Sequence, residues 1–173
     1  MLQIASYFWQ MCLLRAGPER LPSSNFVMGL TFAAYLMTSL TVVVLIRPTE
    51  PLGALAGTVA IGVFYQAGVT FLLLAFKGVP SRFRPTWSAL LGTNTLMILI
   101  LLPFNMIILK TESDALRGLA DSATWICLGW WFAIAGYIYH KSVEISILQG
   151  SAIAFLIELL GVMSAFYLFP RAV

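Results

Sequence analysis

Charge is scarce in this chain. Only 10% of its 173 residues are Asp, Glu, Lys or Arg, against about 25% in a soluble domain, so a water-facing surface cannot be built from this inventory. Histidine occurs once, at His140, which leaves a histidine-based metal site without ligands. Two isolated cysteines, Cys12 and Cys127, form neither a disulfide framework nor a metal motif. They read as free thiols near opposite faces of a membrane. No Walker A motif, HExxH, GxSxG, glycine fingerprint or pair of intramembrane carboxylates is present, so neither an enzyme nor a cofactor is expected. The start, MLQIASYFWQMCLLR, lacks both a positive opening and a small-residue cleavage site, and a signal peptide is not expected.

What is abundant is apolar. Hydrophobic residues make up 60% of the chain, which predicts an all-α polytopic transmembrane bundle forming one integral membrane domain over 1–173. Five spans are expected, at 26–46, 52–76, 86–109, 122–139 and 145–169, each bounded by a short polar or proline-stopped loop. Pro103 should kink the third. Thr111 with Asp114 resembles a capping box, so the fourth helix is expected to begin outside the membrane and enter it near Ser122. His140-Lys141-Ser142 would form the turn into the fifth span. Before the spans, residues 2–14 carry Gln3, Ser6 and Gln10 on one narrow helical face. At about 20 Å this helix cannot cross a core of roughly 30 Å. It is expected to lie along the interface as an amphipathic helix, or else to dock against the bundle.

An odd number of spans places the termini on opposite sides. Arg15, Arg20, Lys77, Arg82, Arg84 and Lys141 fall on the N-terminal side; Arg47, Lys110, Arg117 and Arg171 fall on the other. The excess predicts a cytoplasmic N-terminus and a bacterial inner-membrane protein. The cluster Lys77, Arg82 and Arg84 is a candidate contact for anionic lipid headgroups, besides setting topology.

In lipid, helices associate by close packing, so small-residue stripes mark contact faces. Gly53, Gly57 and Gly68 form one in the second span, and Gly129, Ala133, Gly136 and His140 another in the fourth. Ser151, Ala154, Glu158, Gly161 and Ala165 form a third in the fifth span. Glu158 thus sits in a packing seam, about 20 Å from the cytoplasmic start of its span at 1.5 Å per residue. An intramembrane carboxylate costs roughly 3 kcal/mol unless protonated or paired. No basic residue occurs at its depth. Its candidate partners there are the hydroxyls of Thr38 and Ser39, the Tyr65 phenol, the Gln66 amide and the Trp125 indole. This set is either a proton- or ligand-binding site or a hydrogen-bonded joint between helices. Asn94 and Asn105 are read as structural, with Asn105 serving a carbonyl freed by Pro103.

Five spans with short loops, and Gly17-Pro18 just before the first, resemble the Yip1-like membrane proteins. The resemblance covers the layout of residues 15–170 and implies a compact five-span domain that interacts with other membrane proteins. It carries over no functional residues, and the long hydrophilic N-terminal region of the eukaryotic members is missing. The expected function is a non-enzymatic membrane protein that packs with or organises other membrane components. Its partners would be lipids, other membrane proteins and possible further copies of itself, with no nucleic acid. The alternative is a small transporter, or a transport-complex subunit, in which Glu158 binds a proton or substrate. That alternative requires a water-accessible cavity reaching Glu158.

Overall fold

The structure, a computed structural model, describes residues 2–170, with side chains from residue 6 onward. Arg171 and the side chains of Leu2, Gln3 and Ile4 lie outside the described residues. Among the described residues the chain is all-helical, comprising α1 (Leu2–Cys12), α2 (Asn25–Ile46), α3 (Leu52–Phe76), α4 (Phe83–Lys110), α5 (Asp114–Val143) and α6 (Ile147–Leu168). Single 3-10 turns at Pro18–Arg20 and Pro80–Arg82 precede α2 and α4. Four helices, α2, α3, α4 and α6, are long and apolar enough to cross a membrane, which marks an integral membrane protein. At 30 residues α5 is longer than any of them, but Asp114, Arg117 and Asp121 occupy its first turns and His140 and Lys141 its last.

Local chemistry explains most helix ends. The Ser24 side chain accepts a hydrogen bond from the Phe26 amide (3.1 Å) and caps α2. Gly78, at φ 74°, turns the chain after α3. The helix α4 runs through Pro103 without ending. Asn105 Nδ2 donates to the Leu101 carbonyl (3.1 Å), whereas the carbonyl that loses its partner to the proline ring is that of Leu99.

Two expectations at the ends of α5 need correction. Thr111 closes α4 and its carbonyl accepts from Arg117 Nη2 (3.0 Å); the residue before α5 is Ser113, which makes no side-chain cap. The Thr111–Asp114 capping box is therefore not formed. At the other end, His140, Lys141 and Ser142 stay inside the helix, and the reversal comes later, at Glu144 with φ 58°. His140 Nδ1 closes that turn by donating to the Ile145 carbonyl (2.6 Å). A complete capping box, Ser146 with Gln149, then starts α6.

The helices alternate in direction, so one face gathers the starts of α2, α4 and α6 and the ends of α3 and α5. We call it the first face and its opposite the second. Packing does not follow chain order. The helix α2 packs on α4, α4 on α5, α5 on α6 and α6 on α3, while α3 returns only loosely to α2. The tightest joint is between α5 and α6, where a Cβ on Gly150 would lie 2.6 Å from the Gly136 carbonyl oxygen. Ser151 Oγ donates across the same joint to the Phe132 carbonyl (2.9 Å). Gly161 faces Gly62 of α3, and Gly57 lies under the Phe169 ring. The remaining glycines of the expected stripes, Gly53, Gly68 and Gly129, have open space where a Cβ would stand.

Of its two expected placements, α1 takes the docked one. Phe8, Met11 and Cys12 are buried in the core formed with α4 and α5, while Trp9 and Leu13 remain exposed. The Phe8 ring fits over Gly92, where any Cβ would collide with it. Trp130 Nε1 donates to the Cys12 carbonyl (2.9 Å), and the Tyr7 hydroxyl donates to the Gly17 carbonyl. These bonds satisfy polar groups left free at the helix end and in the following turn. Burial pushes the Cys12 thiol up to about 11.

Candidate functional site

Glu158 lines a cavity of about 420 Å³ between α2, α3, α4 and α6. Its deep polar residues come one from each helix and share a level. Tyr35 lies ten residues from the start of α2 and Gln66 ten from the end of α3. Asn94 lies eleven from the start of α4 and Glu158 eleven from the start of α6. At 1.5 Å per residue all four stand about 15 Å from the first face. From there the cavity rises past Thr58, Gly62, Gly161 and Ala165 toward the second face, where Asn105 and Arg47 line it. Its walls include Val43, Ile46, Val59 and Val162.

The polar groups of this cavity are largely unspent. Gln66 is only 5% exposed, yet its amide makes no hydrogen bond among the described residues. Glu158 is exposed to the cavity and has neither a hydrogen bond nor an ion pair there. Arg47, half-buried, likewise has no ion pair; the one ion pair among the described residues joins Arg82 to Glu144 at 4.0 Å on the first face. Buried polar groups are normally satisfied, and those that are not point to water or a ligand.

Toward the first face the cavity is stopped by a plug. Thr70 and Tyr139, both fully buried, share a hydrogen bond of 2.8 Å between α3 and α5. One turn further on, Thr86 Oγ1 donates to Ser142 Oγ (2.8 Å), joining α4 to α5. Arg82 Nη1 then donates to the Ser142 carbonyl (2.9 Å) at the end of α5. These bonds close the route from the first face, and the cavity reaches toward the second face at Arg47.

The structure brings together only part of the polar set expected around Glu158. Gln66 lies with it in the cavity. Ser39 is buried one turn above Tyr35 and makes no hydrogen bond to Glu158. Tyr65 turns away, since adjacent residues on a helix point about 100° apart. It accepts from Ser164 Oγ (2.9 Å) in a separate, mostly apolar groove of about 460 Å³ on the outer side of α3 and α6. Trp125 is two-thirds exposed, on α5, which does not line the cavity. The residues missed by sequence reasoning are Tyr35 and Arg47, while Asn94 and Asn105, read there as structural, both line the cavity. A signal existed for Asn94: it stands eleven positions, three helical turns, before Asn105, so both share one face. Lys77, Arg82 and Arg84 are all exposed on the first face, with Arg82 also holding the end of α5.

Among the described residues no three His, Cys, Asp or Glu side chains come together as a metal centre. Comparison with protein-family models, with curated proteins and with solved structures gives no match.

Proposed function

We propose that this chain is a non-enzymatic bacterial inner-membrane protein of five spans, with α5 as the fifth span and the N-terminus cytoplasmic, that binds a small polar solute or a proton at Glu158. It would act as a small transporter or as the solute-binding subunit of a transport complex. The observation that carries this reading is the convergence of Tyr35, Gln66, Asn94 and Glu158 from four helices on one cavity. Three of these side chains have no hydrogen-bond partner that is fixed within the bundle. A joint whose only task was to hold helices together would have used its amides and carboxyl on one another. Counting α5 as a span is supported by its length and by Trp125, Trp130 and Trp131, which the hydropathy index scores as polar although their rings are large and apolar.

The test is access. In a chain with Cys12 and Cys127 replaced by serine, Glu158→Cys in oriented proteoliposomes should react with a membrane-impermeant thiol reagent added on the C-terminal side, and resist it from the other. A thiol protected from both sides sinks the solute-site reading.

A second reading, a Yip1-like scaffold that packs with other membrane proteins, is favoured by Gly53 and Gly68 on α3, whose open faces could admit another helix. Under that reading Glu158→Gln keeps partner binding and assembly. Under the first it abolishes transport while the fold survives.

A further inference from the structure

We propose that the ligand of this cavity is a small zwitterion, with an amine at Glu158 and a carboxylate or phosphate at Arg47, joined by a short apolar linker. The inference rests on the solute-site reading and adds the ligand's chemistry.

Charge comes first. The cavity is lined by one carboxylate and one guanidinium, on different helices and toward opposite ends, and neither is in an ion pair. A charge held away from bulk water is costly unless it finds a counter-charge and hydrogen bonds. A simple amine would satisfy Glu158 but leave Arg47 unpaired and add a like charge. A simple acid would do the reverse. A molecule bearing both charges neutralises both ends, and the loaded site is then electrically neutral within the low-dielectric bundle.

The space between the ends fits the middle of such a molecule. Deep in the cavity the unbonded Gln66 amide and Asn94 offer neutral donors and acceptors beside the amine. Higher up, Val43, Ile46, Val59 and Val162 offer an apolar wall. With roughly 30 Å³ per water, 420 Å³ is far too large for a bare ion and suits an organic molecule.

Length follows from helix geometry. Glu158 lies ten residues before the end of α6 at Leu168, and Arg47 caps α2 at that same face. The two Cα atoms are thus about 15 Å apart along the bundle axis. Extended glutamate and arginine side chains leaning into the cavity leave about 5–10 Å between the charges. A hydrogen bond of about 2.8 Å at each end takes up most of that gap and leaves up to about 4 Å between the ligand's own charges, the reach of an α- or β-amino acid.

The experiment measures binding to the full chain in nanodiscs by calorimetry and by the shift in unfolding temperature. The probes are glycine and β-alanine against propylamine and propionate. At least one of the two amino acids should bind ten or more times tighter than either singly charged probe. Arg47→Gln should erase its advantage over propylamine, Arg47→Lys should keep most of it, and Glu158→Gln should erase its advantage over propionate. Each variant is first shown to unfold at the wild-type temperature without ligand. Propylamine binding as well as the amino acids, with Arg47→Gln without effect, overturns the zwitterion and leaves the Glu158 site standing. Equal binding of propionate overturns it in the same way. If no probe binds and Glu158→Cys is also unreactive from both sides, the solute-site reading falls with it.

Discussion

Replacing Gly150 by alanine tests how the bundle is held together. A Cβ there would lie 2.6 Å from the Gly136 carbonyl oxygen and 2.9 Å from its Cα, where ordinary contact begins at 3.4 Å. The obstructing atoms are backbone, so no rotamer change relieves them, and α5 and α6 must part by up to about 1 Å. Overpacking of this kind costs about 1–3 kcal/mol. Separation also loosens the bond from Ser151 Oγ to the Phe132 carbonyl, worth about 0.5–1.5 kcal/mol. Against this, alanine favours the helix over glycine by about 1 kcal/mol. The expected net loss is about 1–3 kcal/mol. Gly129→Ala in α5 is the control, because nothing stands within 4 Å of its Cβ position, and it should be neutral or stabilising by up to about 1 kcal/mol. Reversible unfolding in mixed micelles, titrated with a denaturing detergent, reads both on one scale. If Gly150→Ala proves as stable as Gly129→Ala, the close approach of α5 and α6 is wrong, and so is the ring order built on it.

Two further outcomes follow from buried contacts. Phe8→Ala empties the space over Gly92 and should cost about 3 kcal/mol, releasing α1. Its readout is Cys12, which should resist maleimide in the native chain and react in the variant. Because burial raises this thiol from its ordinary 9.0 to about 11, the folded state holds a proton that the unfolded chain releases, and docking weakens as pH rises from about 9 toward 11. Tyr139→Phe strands the fully buried Thr70 hydroxyl and should cost about 1–3 kcal/mol. The double variant with Thr70→Val should recover part of that loss in a double-mutant cycle, and strict additivity would show that the bond contributes nothing.

The apolar runs of α2, α3 and α6 were legible to within about two residues, because a lipid core demands near-continuous hydrophobic length and Ser24 and Pro51 punctuate it. The start of α5 ahead of its apolar stretch was legible too, though its cap was not. Its far end was not legible, because the true reversal rests on Glu144 in a left-handed conformation that no residue type announces. The depth of Glu158 and its place on a small-residue seam could be counted from the sequence. Its neighbours could not, because depth alone cannot separate Tyr65 from Gln66, which stand side by side and face apart. Arg47 was hidden for a different reason. It reads as a loop residue that sets orientation, and only the shape of the cavity connects it to a carboxylate several turns below.

The order of helix contacts bears on how the chain is made. The helix α3 finds its main partner in α6, which is synthesised only after α4 and α5, and packs only loosely on its immediate predecessor α2. During biogenesis α3 therefore precedes its partner into the lipid with Gln66 and Thr70 uncovered, a costly interval for polar groups in hydrocarbon. The cavity does not exist until α6 arrives, since Glu158, Gly161 and Ala165 form one of its walls. Every ribosome-bound intermediate lacking α6 is thus open along α3.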